Sequence, residues 1–158
     1  MITFLIQFSF SFLAAAAYAI ITNVPRRSLA ACGLSGAAGW IVYWMAVSLG
    51  AVPALGSLFG ALSVASVSFF CSRWLKLPVT IFNIPGMVPL VPGGLAYQAV
   101  RNLVIGHYEV AIASTVQAIM IAGAIALGLV LSEVFNHNIR NFREKRELLG
   151  LIRKKEEQ

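Results

Sequence analysis

Ile81-Phe82-Asn83-Ile84-Pro85-Gly86-Met87-Val88-Pro89-Leu90-Val91-Pro92-Gly93-Gly94-Leu95-Ala96-Tyr97-Gln98 lies inside an apolar segment that runs from about Leu77 to Ile105. Six of the ten residues from Pro85 to Gly94 are Pro or Gly. The segment is therefore long enough to cross a bilayer but not as one regular helix. Each proline in a helix removes a backbone N–H and releases the carbonyl four residues earlier, so Pro85 releases Ile81, Pro89 releases Pro85 and Pro92 releases Val88. Bare backbone at membrane depth is tolerated only where it is buried in protein or lines a wet cavity. Pro92-Gly93-Gly94 also reads as a break followed by a new helix start, since proline suits the first helical turn and glycine permits close approach. A helix restarting at Gly93 would offer unpaired N–H groups and the positive end of its dipole, with Tyr97 and Gln98 close behind. In secondary transporters such starts hold carboxylates near the midplane. Pro89, Pro92, Gly93, Gly94, Tyr97 and Gln98 are accordingly the candidate binding residues for a small carboxylate-bearing solute. The plainer alternative is a kinked helix whose prolines are accommodated by its neighbours.

Working outward, four further apolar stretches flank this one: about Ile2 to Thr22, Ser28 to Gly50, Val52 to Ser72, and Val110 to Phe135. Each is near the length that spans roughly 30 Å of hydrocarbon. With 59% hydrophobic residues, 11% charged and a mean hydropathy of +0.82, the chain excludes a soluble enzyme. The spans use up most of the 158 residues, which leaves no room for a separate catalytic domain. The fold expected is an all-α, polytopic membrane helix bundle of about five spans, with the fourth broken at Pro/Gly. Residues 1–135 form the bundle and 136–158 a basic amphipathic cytoplasmic tail.

Charge sets the orientation. Arg26 and Arg27 follow the first span, and Arg73 and Lys76 flank Trp74 after the third. Seven of the twelve basic residues lie beyond Asn136. These positions mark the cytoplasmic side and a surface of anionic lipids rather than nucleic acid, despite a pI near 9.8. A re-entrant fourth segment would deliver the Arg140, Arg143, Lys145, Arg146 cluster to the outside, so full crossing is expected, with the N-terminus outside and the C-terminus inside. Arg101 is then the one basic residue on the outer side, either snorkelling to the headgroups or holding a specific role.

Helices in lipid associate where small side chains let backbones approach. Gly33, Gly36 and Gly39, the Gly56/Gly60 pair, and Ala118, Ala122 and Ala126 all predict tight packing and contacts with another membrane protein. Ile139, Phe142, Leu149 and Ile152 place an apolar stripe on the tail, which suits the inner leaflet or a partner's cytoplasmic domain. Cys32 and Cys71 fall inside spans and read as small buried residues. Met1 to Ile20 lacks the basic start of a signal peptide and reads as a retained helix. No cofactor or metal is implied, and no paired carboxylates, HExxH, GxSxG or Cys-His arrangement lies within the spans, which argues against an intramembrane enzyme.

The Val88-Pro89-Leu90-Val91-Pro92-Gly93 core with Tyr97 after it, the Asn23-Val24-Pro25-Arg26 loop and the Gly-rich second span resemble the small, YjjB-like subunit of the threonine/serine exporter family, equivalent to the C-terminal transmembrane half of fused ThrE-type exporters. The resemblance covers roughly residues 10 to 135. It implies a bacterial inner-membrane protein that works with a larger membrane subunit, the two exporting small amino acids (threonine or serine) or dicarboxylates with proton coupling. Without such a partner, a homo-oligomer is expected.

Proton coupling ordinarily needs an ionisable group that senses both sides. Glu109 and Glu133 lie at the two ends of the fifth span, and the amide Gln117 is the polar residue nearest its middle. These three are the coupling candidates, and the larger subunit is expected to supply the proton carrier. Two functional readings stay open: a transport subunit whose fourth span lines the solute path, and a structural or assembly subunit that stabilises a larger transporter without touching solute.

Overall fold

A computed structural model describes the backbone of residues 2–156 and the side-chain surroundings of residues 2–134. The uncharged first stretch forms α1, Ile2–Ile21. Asn23, with φ 59°, turns the chain, and a short 3-10 turn at Arg26–Ser28 leads into α2, Leu29–Ser48. Gly50, at φ +93°, reverses the chain where a side chain would be strained, and Pro53 starts α3 at its first helical position. α3, Pro53–Leu75, ends with Lys76 in the left-handed conformation. The fourth segment divides as its breakers require: α4, Thr80–Met87, a 3-10 turn at Val88–Leu90, and α5, Gly93–Ile105. After Gly106 comes α6, Tyr108–Glu156. Four helical stretches, Ile2–Ile21, Arg26–Ser48, Pro53–Leu75 and Tyr108–Val134, are each long and apolar enough to cross a membrane. Together with the divided segment they form a polytopic bundle without strands among the described residues. The tail's apolar stripe and the division at residue 135 lie outside the described side chains.

Glycine governs the approach of α2 to its neighbours. A Cβ on Gly33 would sit 2.6 Å from the Phe12 ring of α1, and one on Gly36 would sit 2.5 Å from Ala15 Cβ. One on Gly39 would collide with Val64 of α3. The small-residue reading of the second and third spans is therefore realised as close packing. On α6 the packed residues differ from the expected alanine repeat: Ala122 and Ala126 are exposed. The packed line runs instead through Ala111, Ser114, Ala118, Ile121, Ile125, Gly128 and Ser132, all buried or half-buried, with Gln117, Ala124 and Leu129 half-buried beside it. The line's alternating steps of three and four residues form a narrow seam of coiled-coil type, from which a strict four-residue alanine spacing drifts away. Gly128 carries the closest approach, with a built Cβ 2.8 Å from Ala61 Cβ.

The order of contacts gives the direction of each segment. Along the fourth segment, Ile81 meets Cys32, then Gly86 and Pro89 meet Gly36, then Leu90 meets Gly39. The segment thus rises parallel to α2. α6 begins beyond Pro53, passes it at Gln117 and reaches Ala61 at Gly128, so it runs parallel to α3. α5, joined to α6 by the tight turn at Gly106, runs antiparallel to it and continues the ascent. The fourth segment therefore runs along the bundle in one direction, in two pieces, as the expected full crossing requires. One end of the bundle gathers the exposed Arg26, Arg27, Arg73 and Lys76, with Arg73 stacked 4.7 Å from the Phe69 ring. We call this the basic end and the opposite one the far end.

Candidate functional site

Each carbonyl released by a proline finds a partner. The Cys32 thiol donates to Ile81 O at 3.4 Å. Val88 N–H donates to Pro85 O, and Val91 N–H to Val88 O at 3.3 Å, because tightening into a 3-10 turn offers each an amide three residues on. The partners that the three released carbonyls require are therefore all supplied. The groups left open are amides. Gly93 N–H reaches Val91 O and Ala96 N–H reaches Pro92 O, while Gly94 and Leu95 N–H find no acceptor among the described residues and no side chain caps α5. Unpaired amides are normal at a helix start, but this one lies deep in the bundle. Leu90, three residues earlier, packs at Gly39, ten residues from one end of α2 and nine from the other.

The six candidate binding residues divide between two sides of this break. Pro89 sits in the 3-10 turn against α2, its Cγ 3.4 Å from where a Cβ on Gly36 would be. Pro92 precedes α5 with ψ at 50°, turning the chain away from α2. Gly93, Gly94, Tyr97 and Gln98 are all exposed, and a Cβ on either glycine would meet nothing within 4 Å. α5 packs chiefly on α6 through Leu95, Ala99 and Asn102 and leaves the rest of its surface open.

Because α5 departs, the α2 face that receives α4 at Gly36 is continued toward the far end by its own large side chains. Trp40 and Tyr43 follow at one-turn steps, half-buried, with ring centroids 5.1 Å apart. Both pack on the cluster of Ala61, Val64, Met87 and Leu90. Trp40 Nε1 donates to Gln7 Oε1 at 2.7 Å. On the basic-end side of the break, Ser35 Oγ and Ser68 Oγ lie 2.9 Å apart, both fully buried. Asn83 Oδ1 is buried without a partner among the described residues. Gln7, Ser35, Trp40 and Asn83 are not among the residues expected at the site, and Cys32, buried as expected, also donates a hydrogen bond. Gln7 carried a usable signal, since an amide in a charge-free span needs a bond. Ser35, set between Gly33 and Gly36, carried another.

The coupling candidates do not converge. Glu109 is exposed in the first turn of α6 and Glu133 is exposed near Val134. Gln117 is half-buried and lines a cavity of about 400 Å³ between the far ends of α3 and α6, with Val52, Pro53 and Met120. Spread over 24 residues of one helix, they extend about 36 Å along its axis at 1.5 Å per residue. Gln117 lies nine residues into α6, level with the start of α3.

Residues 7–135 match the family model described as threonine/serine exporter, ThrE. The match takes in the break, both glycine-rich spans and the whole membrane part of α6. The chain belongs to the threonine/serine exporter family. No solved structure matches it. As an exporter-family member it is a multi-pass membrane protein with a transport role, and the broken fourth span is part of the matched region.

Proposed function

We propose that this exporter-family chain is the small subunit of a two-component, proton-coupled exporter of small amino acids or dicarboxylates, in a bacterial inner membrane. The basic end faces the cytoplasm and the N-terminus lies outside, in keeping with the positive-inside bias. The open side of the break lines the solute path. Gly94 and Leu95 amides receive the carboxylate, Tyr97 and Gln98 add hydrogen bonds, and Pro89 and Pro92 hold the two half-helices apart. Glu109, Glu133 and Gln117, strung along α6, form no joint site, which supports placing the proton carrier on the larger subunit. The observation that carries this reading is a pair of unpaired amides half-way through the bundle on an uncovered side, where hydrocarbon would leave them at a cost of several kcal/mol each.

The test is replacement of Pro92 and Gly93 together by alanine. A Cβ at Gly93 meets nothing within 4 Å, so insertion should persist while export of radiolabelled threonine falls by about tenfold or more, as expected for losing a charge-assisted contact. Unchanged export would remove the break from the path. If the same variant instead stays inserted but no longer co-purifies with a larger membrane subunit, the assembly role replaces the transport role.

A further inference from the structure

We propose that the open face of α5 docks a membrane-spanning helix of a second polypeptide, and that this helix brings a carboxylate to Arg101. Arg101 lies eight residues beyond Gly93, about 12 Å further toward the far end at 1.5 Å per residue. It is exposed and forms no ion pair among the described residues. The same surface carries Tyr97, 68% exposed, Val100, 63%, and Val104, 81%, with Gln98 at its edge. A lone arginine at that depth can snorkel to the headgroups. Tyr97 and Gln98 sit one turn deeper, with the Gly94 and Leu95 amides below them, and a ladder of polar groups facing hydrocarbon is unfavourable along its whole length.

Charge decides the kind of partner. A two-fold contact of this face with a second copy would bring two Arg101 guanidiniums together. The carboxylate nearest that end, Glu109, is two residues before the buried Ala111, about 200° around α6 and so on the side away from its seam. A second copy therefore offers no symmetric counterion, whereas an apolar helix bearing Asp or Glu satisfies Arg101 and covers the valines beside it. The solute would then pass between the two chains, near the break, with the far half of α5 sealed by the docked helix. This docking face rests on the two-chain reading above.

A photo-crosslinking residue at Val100, in the full chain expressed from its own locus, tests it in native membranes. Val130 on the exposed side of α6 serves as a control position. The expected result is an adduct with a different polypeptide at Val100, mapped by mass spectrometry to an apolar segment with Asp or Glu within a turn of the linked residue. Its yield should fall about tenfold or more in Arg101→Glu and be kept in Arg101→Lys, as for a desolvated charge pair. An adduct of twice this chain's mass, lipid adducts alone, a mapped segment without a carboxylate, or a yield indifferent to Arg101→Glu would each overturn the docking face. Export by the Pro92→Ala, Gly93→Ala variant separates the two readings: loss of export there, with only lipid adducts at Val100, leaves the path standing without this interface.

Discussion

Gly86 and Gly93 are seven residues apart in one span and have opposite surroundings. A Cβ on Gly86 would lie 2.5 Å from Ser35 Oγ and 2.8 Å from Val64 Cγ1, while one on Gly93 meets nothing within 4 Å. Gly86→Ala should therefore cost about 1–3 kcal/mol through overpacking. Gly93→Ala should leave stability unchanged or raise it by up to about 1 kcal/mol through helix propensity. Thermal unfolding in detergent checks the pair, and equal shifts would contradict the packing assigned to Gly86. Cys32 offers a second contrast. Its thiol pairs with the carbonyl that Pro85 releases, within the buried cluster of Ala19, Ala31, Cys71 and Phe82. Cys32→Ser keeps a donor and should be tolerated, whereas Cys32→Val strands Ile81 O and should cost about 1–3 kcal/mol. The same unfolding measurement should rank the two.

At the scale of the element, α5 differs from every other membrane helix in the bundle. α1 to α4 pack on one another through glycine, alanine and serine, while α5 leans chiefly on α6 and is bounded by Pro92 and Gly106. Gly106 closes it in the left-handed region, φ +90°, where an L side chain is strained by roughly 1–2 kcal/mol. Gly106→Ala should loosen the α5–α6 hairpin without unfolding the rest. Hydrogen exchange followed by mass spectrometry should show α5 amides exchanging about tenfold faster, with α2 and α3 unaltered. A uniform change across all helices would mean that α5 is welded to the bundle more firmly than its packing indicates.

For the whole molecule, the two ends carry the prediction. Thr22 lies beside the basic end, and Leu49, 86% exposed, lies at the far end. With Cys32 and Cys71 replaced by serine, a membrane-impermeant maleimide should label Leu49→Cys in intact cells and Thr22→Cys only after permeabilisation. The reverse pattern would invert the orientation drawn from Arg26, Arg27, Arg73 and Lys76.

Much of this architecture was readable from residue order alone, because hydrophobic length, proline chemistry and loop charge act locally. The span limits, the division of the fourth segment at Pro92 and the close approach at Gly33, Gly36 and Gly39 follow from rules that need no neighbour's coordinates. The tertiary structure decided what depends on partners distant in sequence. Pro85's released carbonyl is met by a thiol 49 residues away, and Ser35 pairs with Ser68 across two helices. The packed stripe of α6 is the seam through Ser114, Ile121 and Gly128, since many faces of an apolar helix look alike until a neighbour selects one. The same holds for α5: its composition marked a break, but only the course of α6 decided which side of that break stayed open.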